Sequence, residues 1–241
     1  MDFKKLAQLF RKRQKKLKYC GAVIVAAGSA SRMGGIDKVM APIGGKPMIR
    51  RTVAEFQNCD AIREIVVVTR TDLVSPVMDL CADYDKVKAV IVGGDSREVS
   101  VAAGLAMLSD RCKLAAVHDG ARPFVTGQLI DRVVRAANEY GAAAPAIAVK
   151  DTIKVVQDDF VEKTPDRSTL KAVQTPQVFD IDLLRGALHK AKQDNLAVTD
   201  DCSAVEHIGM AVWIVEGDEK NIKVTTPLDL KLAQVIWEEL Q

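Results

Sequence analysis

Short aliphatic runs recur along the chain, at Ala22 to Ala26, Ile65 to Thr69, Val87 to Val92, Leu114 to Val117 and Ala142 to Val149. Each is rich in valine, isoleucine or alanine and largely unalternating, which is the pattern of a strand covered on both faces. Helical stretches lie between them, at Pro47 to Phe56, Val74 to Asp83, Arg97 to Leu108 and Gly127 to Tyr140. Pro47 suits a first helical position, while Ser96 and Thr126 suit N-caps, where a side-chain oxygen accepts an otherwise orphaned backbone N–H. The alternation predicts an α/β fold with a mostly parallel sheet flanked by helices. At 241 residues, 48% of them hydrophobic, the chain can bury the core this needs, as one large domain or two small ones.

Sheets of this kind hold ligands beyond the carboxyl ends of their strands, so the segments after each run are where chemistry belongs. The first run leads into Ala26-Ala27-Gly28-Ser29-Ala30-Ser31-Arg32-Met33-Gly34-Gly35, closed by Lys38. Small residues let backbone N–H groups approach anionic oxygens, and Arg32 and Lys38 bring two positive charges to the same place. A triphosphate is the natural guest. The loop is not a Walker motif, since no Ser or Thr follows the lysine. Nor is it a dinucleotide fingerprint, since Ala30 and Ser31 stand where further glycines would be required. The third run leads into Gly93-Gly94-Asp95-Ser96-Arg97-Glu98-Val99-Ser100, and the fourth into His118-Asp119-Gly120-Ala121-Arg122-Pro123.

From Lys150 to Lys171 the pattern changes to two short β-prone stretches around Asp158-Asp159, read as a projecting β-hairpin whose apolar residues pack against the same arm of a second subunit. A last helix, Pro227 to Leu240, is capped by Thr226 and is expected on the outer face of the sheet. Net charge is only +2, too little for a general attraction to nucleic acid. Eight Lys or Arg nevertheless fall between Lys4 and Lys18, with Phe3, Leu6, Phe10 and Leu17 roughly on one helical face. Residues 1–19 are therefore set apart as a basic extension. No run approaches the roughly 20 apolar residues of a membrane span and no signal-peptide core is evident, so the expected location is cytoplasmic. Cys20, Cys59, Cys81, Cys112 and Cys202 have no metal-ligand spacing and read as reduced packing residues.

Taken in order, the loop from Ala26 to Met33, Gly93-Gly94 with Arg97 and Ser100-Val101, His118 to Pro123, Gln174-Thr175-Pro176-Gln177, Thr199-Asp200 and Asn221-Ile222-Lys223-Val224-Thr225 resemble the 2-C-methyl-D-erythritol 4-phosphate cytidylyltransferase family. The resemblance runs from about Cys20 to the end. It implies a Rossmann-like nucleotidyltransferase domain over residues 20–241, with an arm at about 150–171 that forms a homodimer. The implied partners are CTP and a sugar-alcohol phosphate, with Mg²⁺ held mainly through the CTP phosphates and no dedicated protein metal site. Arg32, Lys38 and Lys223 are implied as catalytic. The backbone around Ala26 and Ala27, with Gly94, Asp95 and Ser100, is implied at the cytosine end, Gly28 in binding the nucleotide, and Asp119 and Gly120 at the ribose and the metal-bound phosphates. Arg122, Thr152, Arg167, Thr175 and Thr199 are implied for the acceptor, Thr152 and Arg167 reaching the neighbouring subunit's site. His118 is read as structural.

The residue types suit that chemistry on their own account. An acceptor phosphate attacking the α-phosphorus of CTP and expelling pyrophosphate needs positioning and cations, and no protein nucleophile. Two departures from the family pattern stand out: Asp37-Lys38-Val39 where many relatives carry Pro-Lys-Gln, and the basic extension. The nearest alternative is a ribitol-5-phosphate cytidylyltransferase, disfavoured by Asp119-Gly120-Ala121 before Arg122 where those enzymes tend to carry Ser-Val. A non-catalytic nucleotide-binding module and a membrane or RNA tether at the N-terminus complete the field. The first is opposed by the three cations, and the second by sparse aromatic interleaving.

Overall fold

The computed structural model describes residues 16–28 and 38–241. Arg32 and the greater part of the basic extension lie outside the described residues. The strands are β1 (Cys20–Ala26), β2 (Pro42–Ile43), β3 (Lys46–Pro47), β4 (Ile62–Thr69), β5 (Val87–Val92), β6 (Leu114–Asp119), β7 (Ala142–Ala148), β8 (Val155–Gln157), β9 (Phe160–Lys163), β10 (Lys171–Val173), β11 (Gln177–Asp180) and β12 (Trp213–Glu216). The helices are α1 (Met48–Asn58), α2 (Val74–Leu80), α3 (Arg97–Met107), α4 (Gly127–Tyr140), α5 (Ile181–Gln193), α6 (Asp201–His207) and α7 (Pro227–Glu239).

The main sheet is mostly parallel. β1 lies between β4 and β6, and β5 adds beyond β4, all in parallel. β11 then inserts antiparallel between β6 and β7, β10 pairs antiparallel with β7, and β12 runs parallel to β7. Both faces of the parallel part are covered, which is why its strands do not alternate in polarity. Ala22 and Ile24 of β1, with Ile65 and Val67 of β4, face a core completed by Ile49, Val53 and Phe56 of α1 and Leu129, Ile130, Val133 and Val134 of α4. Their neighbours Val23, Val66 and Val68 face the opposite core, with Val101 and Leu105 of α3, Leu184 of α5 and Val205 of α6.

Three helix N-termini follow the caps expected of them, whereas Pro47 ends β3 and stands just before α1 and not at its first position. Ser96 accepts the Val99 N–H, Thr126 accepts that of Leu129, and Thr226 accepts that of Asp229 in a reciprocal capping box. α4 ends at Gly141, whose φ of 88° is the left-handed conformation glycine adopts without strain. The hairpin β8–β9 forms a separate two-stranded sheet, with Val156, Phe160 and Val161 exposed. One expectation is corrected: α7 does not cover a face of the sheet. Its Ala233 and Ile236 pack with Ile43, Met48, Ala121, Phe124 and Val224, so it closes over the β2–β3 hairpin beside the strand ends. Its apolar residues are spread around the helix and not gathered on one face: Ala233 and Ile236 are buried, while Leu228, Leu232 and Val235 are exposed.

Candidate active site

The carboxyl ends of β1, β5 and β6 converge because of register. Val25 lies opposite Asp119, and the Gly93 N–H donates to the Thr69 carbonyl at 2.8 Å. The cavity they frame, about 410 Å³, is lined by Ala26, Ala27 and Gly28, by Lys38, by Gly94, Asp95, Ser96, Arg97 and Ser100, and by Asp119 and Lys223. That volume is within the usual range for a small-molecule site.

One wall is built of close backbone. A Cβ on Gly94 would lie 2.2 Å from Val99 Cγ1, and one on Gly93 would lie 2.5 Å from Ala27 Cβ. Ser100 is buried, donates its hydroxyl to the Ser96 carbonyl at 2.9 Å and accepts the Gly94 N–H at 3.1 Å. The hydroxyl proton and the Gly94 N–H are thereby spent within the turn, which fixes its shape beside the cavity. Across from it, Lys38 Nζ comes within 3.7 Å of where a Gly28 Cβ would stand.

The other wall is ionic. Asp119 is only 7% exposed and faces Lys223 Nζ at 2.9 Å, Arg122 Nε at 3.6 Å and Arg97 Nε at 3.7 Å. Burial alone would raise its pKa, but Lys223, Arg97 and Arg122 outweigh that and hold it down at about 2. Beneath it lies a neutral chain of hydrogen bonds. His118 Nε2 meets the Arg122 carbonyl at 3.2 Å and must therefore donate, leaving Nδ1 to accept the Thr175 hydroxyl at 2.9 Å. The Thr175 oxygen in turn accepts the Asp119 N–H at 3.1 Å. Burial drives the His118 pKa down to about 3, in keeping with that neutral tautomer.

Lys223 is delivered by chain from the far end of the sequence. Val224 donates its N–H to the Ala121 carbonyl at 2.8 Å and is fully buried, while Asn221, also buried, donates to the Thr175 carbonyl at 2.9 Å. Among the sequence candidates, the structure brings together Ala26, Ala27, Gly28, Lys38, Gly94, Asp95, Ser100, Asp119 and Lys223. Gly120 runs behind the wall, its N–H on the Val25 carbonyl at 2.8 Å. Arg122 lies behind Asp119 with Nη1 on the Asn221 carbonyl at 2.7 Å, and Thr175 lies a layer below the cavity. Thr152 and Thr199 are exposed and do not line the cavity, and Arg167 borders a separate hollow, donating to the Lys150 carbonyl at 2.7 Å.

Sequence reasoning gave no role to Arg97 or Asp201. Arg97 lines the cavity and donates to buried Asp201 at 2.7 Å, and burial, which opposes its charge, is outweighed by Asp201 and then Asp119. The two are 104 positions apart, so no spacing rule links them. The available signal was Asp201 itself, an acid directly after the cap of a short helix.

The model of the family described as 2-C-methyl-D-erythritol 4-phosphate cytidylyltransferase (IspD) matches residues 20–239. The protein of that name from Geobacillus kaustophilus is 45% identical over 218 residues, covering 89% of this chain and 95% of the relative. Its counterpart from Caldanaerobacter subterraneus subsp. tengcongensis is 42% identical over 219 residues, covering 89% and 96%. The crystal structure of 4-diphosphocytidyl-2C-methyl-D-erythritol synthase from Anaerococcus prevotii superposes with a TM-score of 0.84 at 31% identity, covering 92% and 96%. Since the matched span holds the whole sheet and every described residue of the cavity wall, the chain belongs to the 2-C-methyl-D-erythritol 4-phosphate cytidylyltransferase family.

Proposed function

We propose that this protein joins CTP to 2-C-methyl-D-erythritol 4-phosphate, giving CDP-methylerythritol and pyrophosphate, a step of non-mevalonate isoprenoid precursor synthesis. The observation that carries the reading is the single cavity in which a glycine-walled, hydroxyl-fixed turn faces Lys38 and the Asp119–Lys223 pair. An oxygen of the acceptor phosphate attacks the α-phosphorus of CTP in line, and the bond to the β-phosphate oxygen breaks as pyrophosphate leaves. Lys38, Lys223 and Arg32 neutralise the charge that gathers on the five-coordinate phosphorus and the leaving group. The backbone around Ala26, Ala27 and Gly94, with Asp95 and Ser100, holds the cytosine end, while Asp119 and Gly120 serve the ribose and phosphates.

Among the described residues no group of three or more His, Cys, Asp or Glu side chains is arranged to hold a metal. The ionised carboxylate of Asp119, beside a triphosphate, suits Mg²⁺, which takes one or two carboxylates and completes its shell with phosphate oxygens and water. When bound, Mg²⁺ would supply charge neutralisation on the triphosphate. Arg122, Thr152, Arg167, Thr175 and Thr199 are assigned to the acceptor side. Thr175 acts through the hydrogen-bond chain under Asp119, while Thr152 and Arg167 reach the site of a second subunit in a homodimer built on the β8–β9 arm. What supports the dimer is the exposure of Phe160 (80%) on that arm. No helix among the described residues is long and apolar enough to cross a membrane. Five buried free thiols suit the reducing cytoplasm.

A pyrophosphate-release assay tests the reading, offering CTP, UTP, ATP and GTP against methylerythritol phosphate and ribitol phosphate. Turnover is expected with CTP and methylerythritol phosphate, reduced about 100-fold or more in Lys223→Ala and Arg32→Ala, as for loss of a donor aimed at transition-state charge. Preference for ribitol phosphate, or wild-type silence with every acceptor, overturns it.

A further inference from the structure

Arg97 stands at the first position of α3 with its guanidinium between carboxylates from two other elements. Nη2 donates to Asp201 Oδ2 at 2.7 Å, and Nε faces Asp119 Oδ1 at 3.7 Å. Asp201 opens α6, is 1% exposed, and has its Oδ1 buried without a hydrogen-bond partner. Its main chain is held as well, because Gln177 Oε1 accepts the N–H of Asp201 at 3.0 Å and of Cys202 at 3.2 Å. A buried carboxylate resting on one guanidinium is a poor way to gain stability, since an apolar pair of similar volume is often as stable or more so. The arrangement is better explained by what it does to Arg97.

On the cavity side, Lys223 is the nearest cation to Asp119, at 2.9 Å. Turning its three N–H donors toward anionic phosphates weakens its hold on that carboxylate, and Asp119 then depends more on Arg97 and Arg122, together with Mg²⁺ when bound, for compensation. Arg122 already spends Nη1 on the Asn221 carbonyl, and its side chain is 12% exposed against 27% for Arg97. Untethered, Arg97 would itself turn to an incoming triphosphate, leaving Asp119 to hold Lys223.

We propose that Asp201 is a positioning residue for the reaction: by gripping Arg97 it keeps that guanidinium beside Asp119 when a triphosphate enters, so that Lys223 is the cation released to the phosphates. The proposal rests on the cytidylyltransfer reading and deepens it. Breaking the pair from its two ends has opposite effects on CTP. In Asp201→Asn the liberated Arg97 follows the triphosphate, so KM for CTP falls about threefold or more while kcat drops about tenfold, the signature of binding gained in the ground state and not in the transition state. In Arg97→Met, Asp119 retains Lys223, and KM for CTP rises about tenfold. The double variant Arg97→Met/Asp201→Asn matches Arg97→Met within about twofold, because Asp201 acts only through Arg97.

A merely structural pair would lower the melting temperature of both variants and move KM for CTP in one direction, if at all. A KM for CTP that rises or stays level in Asp201→Asn, or a double variant distinct from Arg97→Met, therefore overturns the proposal. Calorimetric CTP dissociation constants without acceptor carry the same opposite signs. A wild type that binds CTP yet makes no product thus sinks the reaction while leaving the positioning claim to be judged. Should Asp201→Asn fail to fold, Arg97→Met/Asp201→Leu is compared with Arg97→Met: CTP affinities within about twofold uphold the proposal, and a larger difference overturns it.

Discussion

Asp119 keeps its negative charge in near-complete burial because three cations reach it from three segments of chain, and His118 beside it stays neutral because burial disfavours its charged form. The adjacent residues titrate in the same direction for different reasons, ion pairing for the aspartate and burial for the histidine. For His118 the folded-state pKa, about 3, lies below the ordinary value near 6.5, so the unfolded chain binds the extra proton first. Its contribution to stability is complete above about pH 6.5 and is lost progressively as pH falls toward 3. Urea unfolding between pH 7 and pH 5 is expected to show wild-type stability falling by up to about 1.4 kcal/mol per pH unit, and a flatter profile for His118→Asn. Equal slopes would mean that the imidazole is not the buried neutral group described. The sequence marked both residues as a motif but could not say that Thr175 would bridge them, since that contact spans 57 positions.

At the scale of elements, the placement of Lys223 depends on α7 and on a two-residue hairpin far from it in sequence. Trp237 of α7 lies against Gly44, where a Cβ would come within 2.0 Å of its Nε1, and Arg51 covers the ring with its guanidinium 3.5 Å from the centroid. Gln234 ties the same helix to the Pro42 carbonyl at 2.7 Å and accepts the Gly44 N–H at 3.2 Å. Gly44 also has a φ of +51°, which a side chain strains. Gly44→Ala is therefore expected to cost about 1–3 kcal/mol by overpacking and backbone strain, to shift tryptophan emission to the red and to raise KM for CTP as the Lys223 segment loosens. Unchanged emission and affinity would show that α7 does not anchor the site. The helix and its Thr226 cap were readable from the sequence. Its docking partner was not, because apolar residues spread around the helix carry little directional pattern.

For the whole molecule, the open question of assembly is written on the arm. Val156, Phe160 and Val161 expose 55%, 80% and 58% of their surfaces on a hairpin with no sheet neighbour among the described residues. An apolar patch of this kind on a two-stranded unit is stable only when covered. Sedimentation equilibrium is expected to give a dimer for the wild type and a monomer for Phe160→Asp/Val161→Asp, with turnover lost in the monomer, as the proposed reach of Thr152 and Arg167 into a partner's site requires. A dimer that survives those substitutions places the interface elsewhere.

The alternation of strand and helix, the caps of Ser96, Thr126 and Thr226 and the hairpin were all determined locally. Each follows from the period of apolar residues or from a short-range hydrogen bond that neighbours in sequence can make. The antiparallel insertion of β11, the landing of α7 and the grip of Asp201 on Arg97 were decided only by tertiary structure. Ion pairs and packing depend on distances in space, and chain segments about a hundred residues apart meet at this site only after the sheet has fixed the ends of its strands.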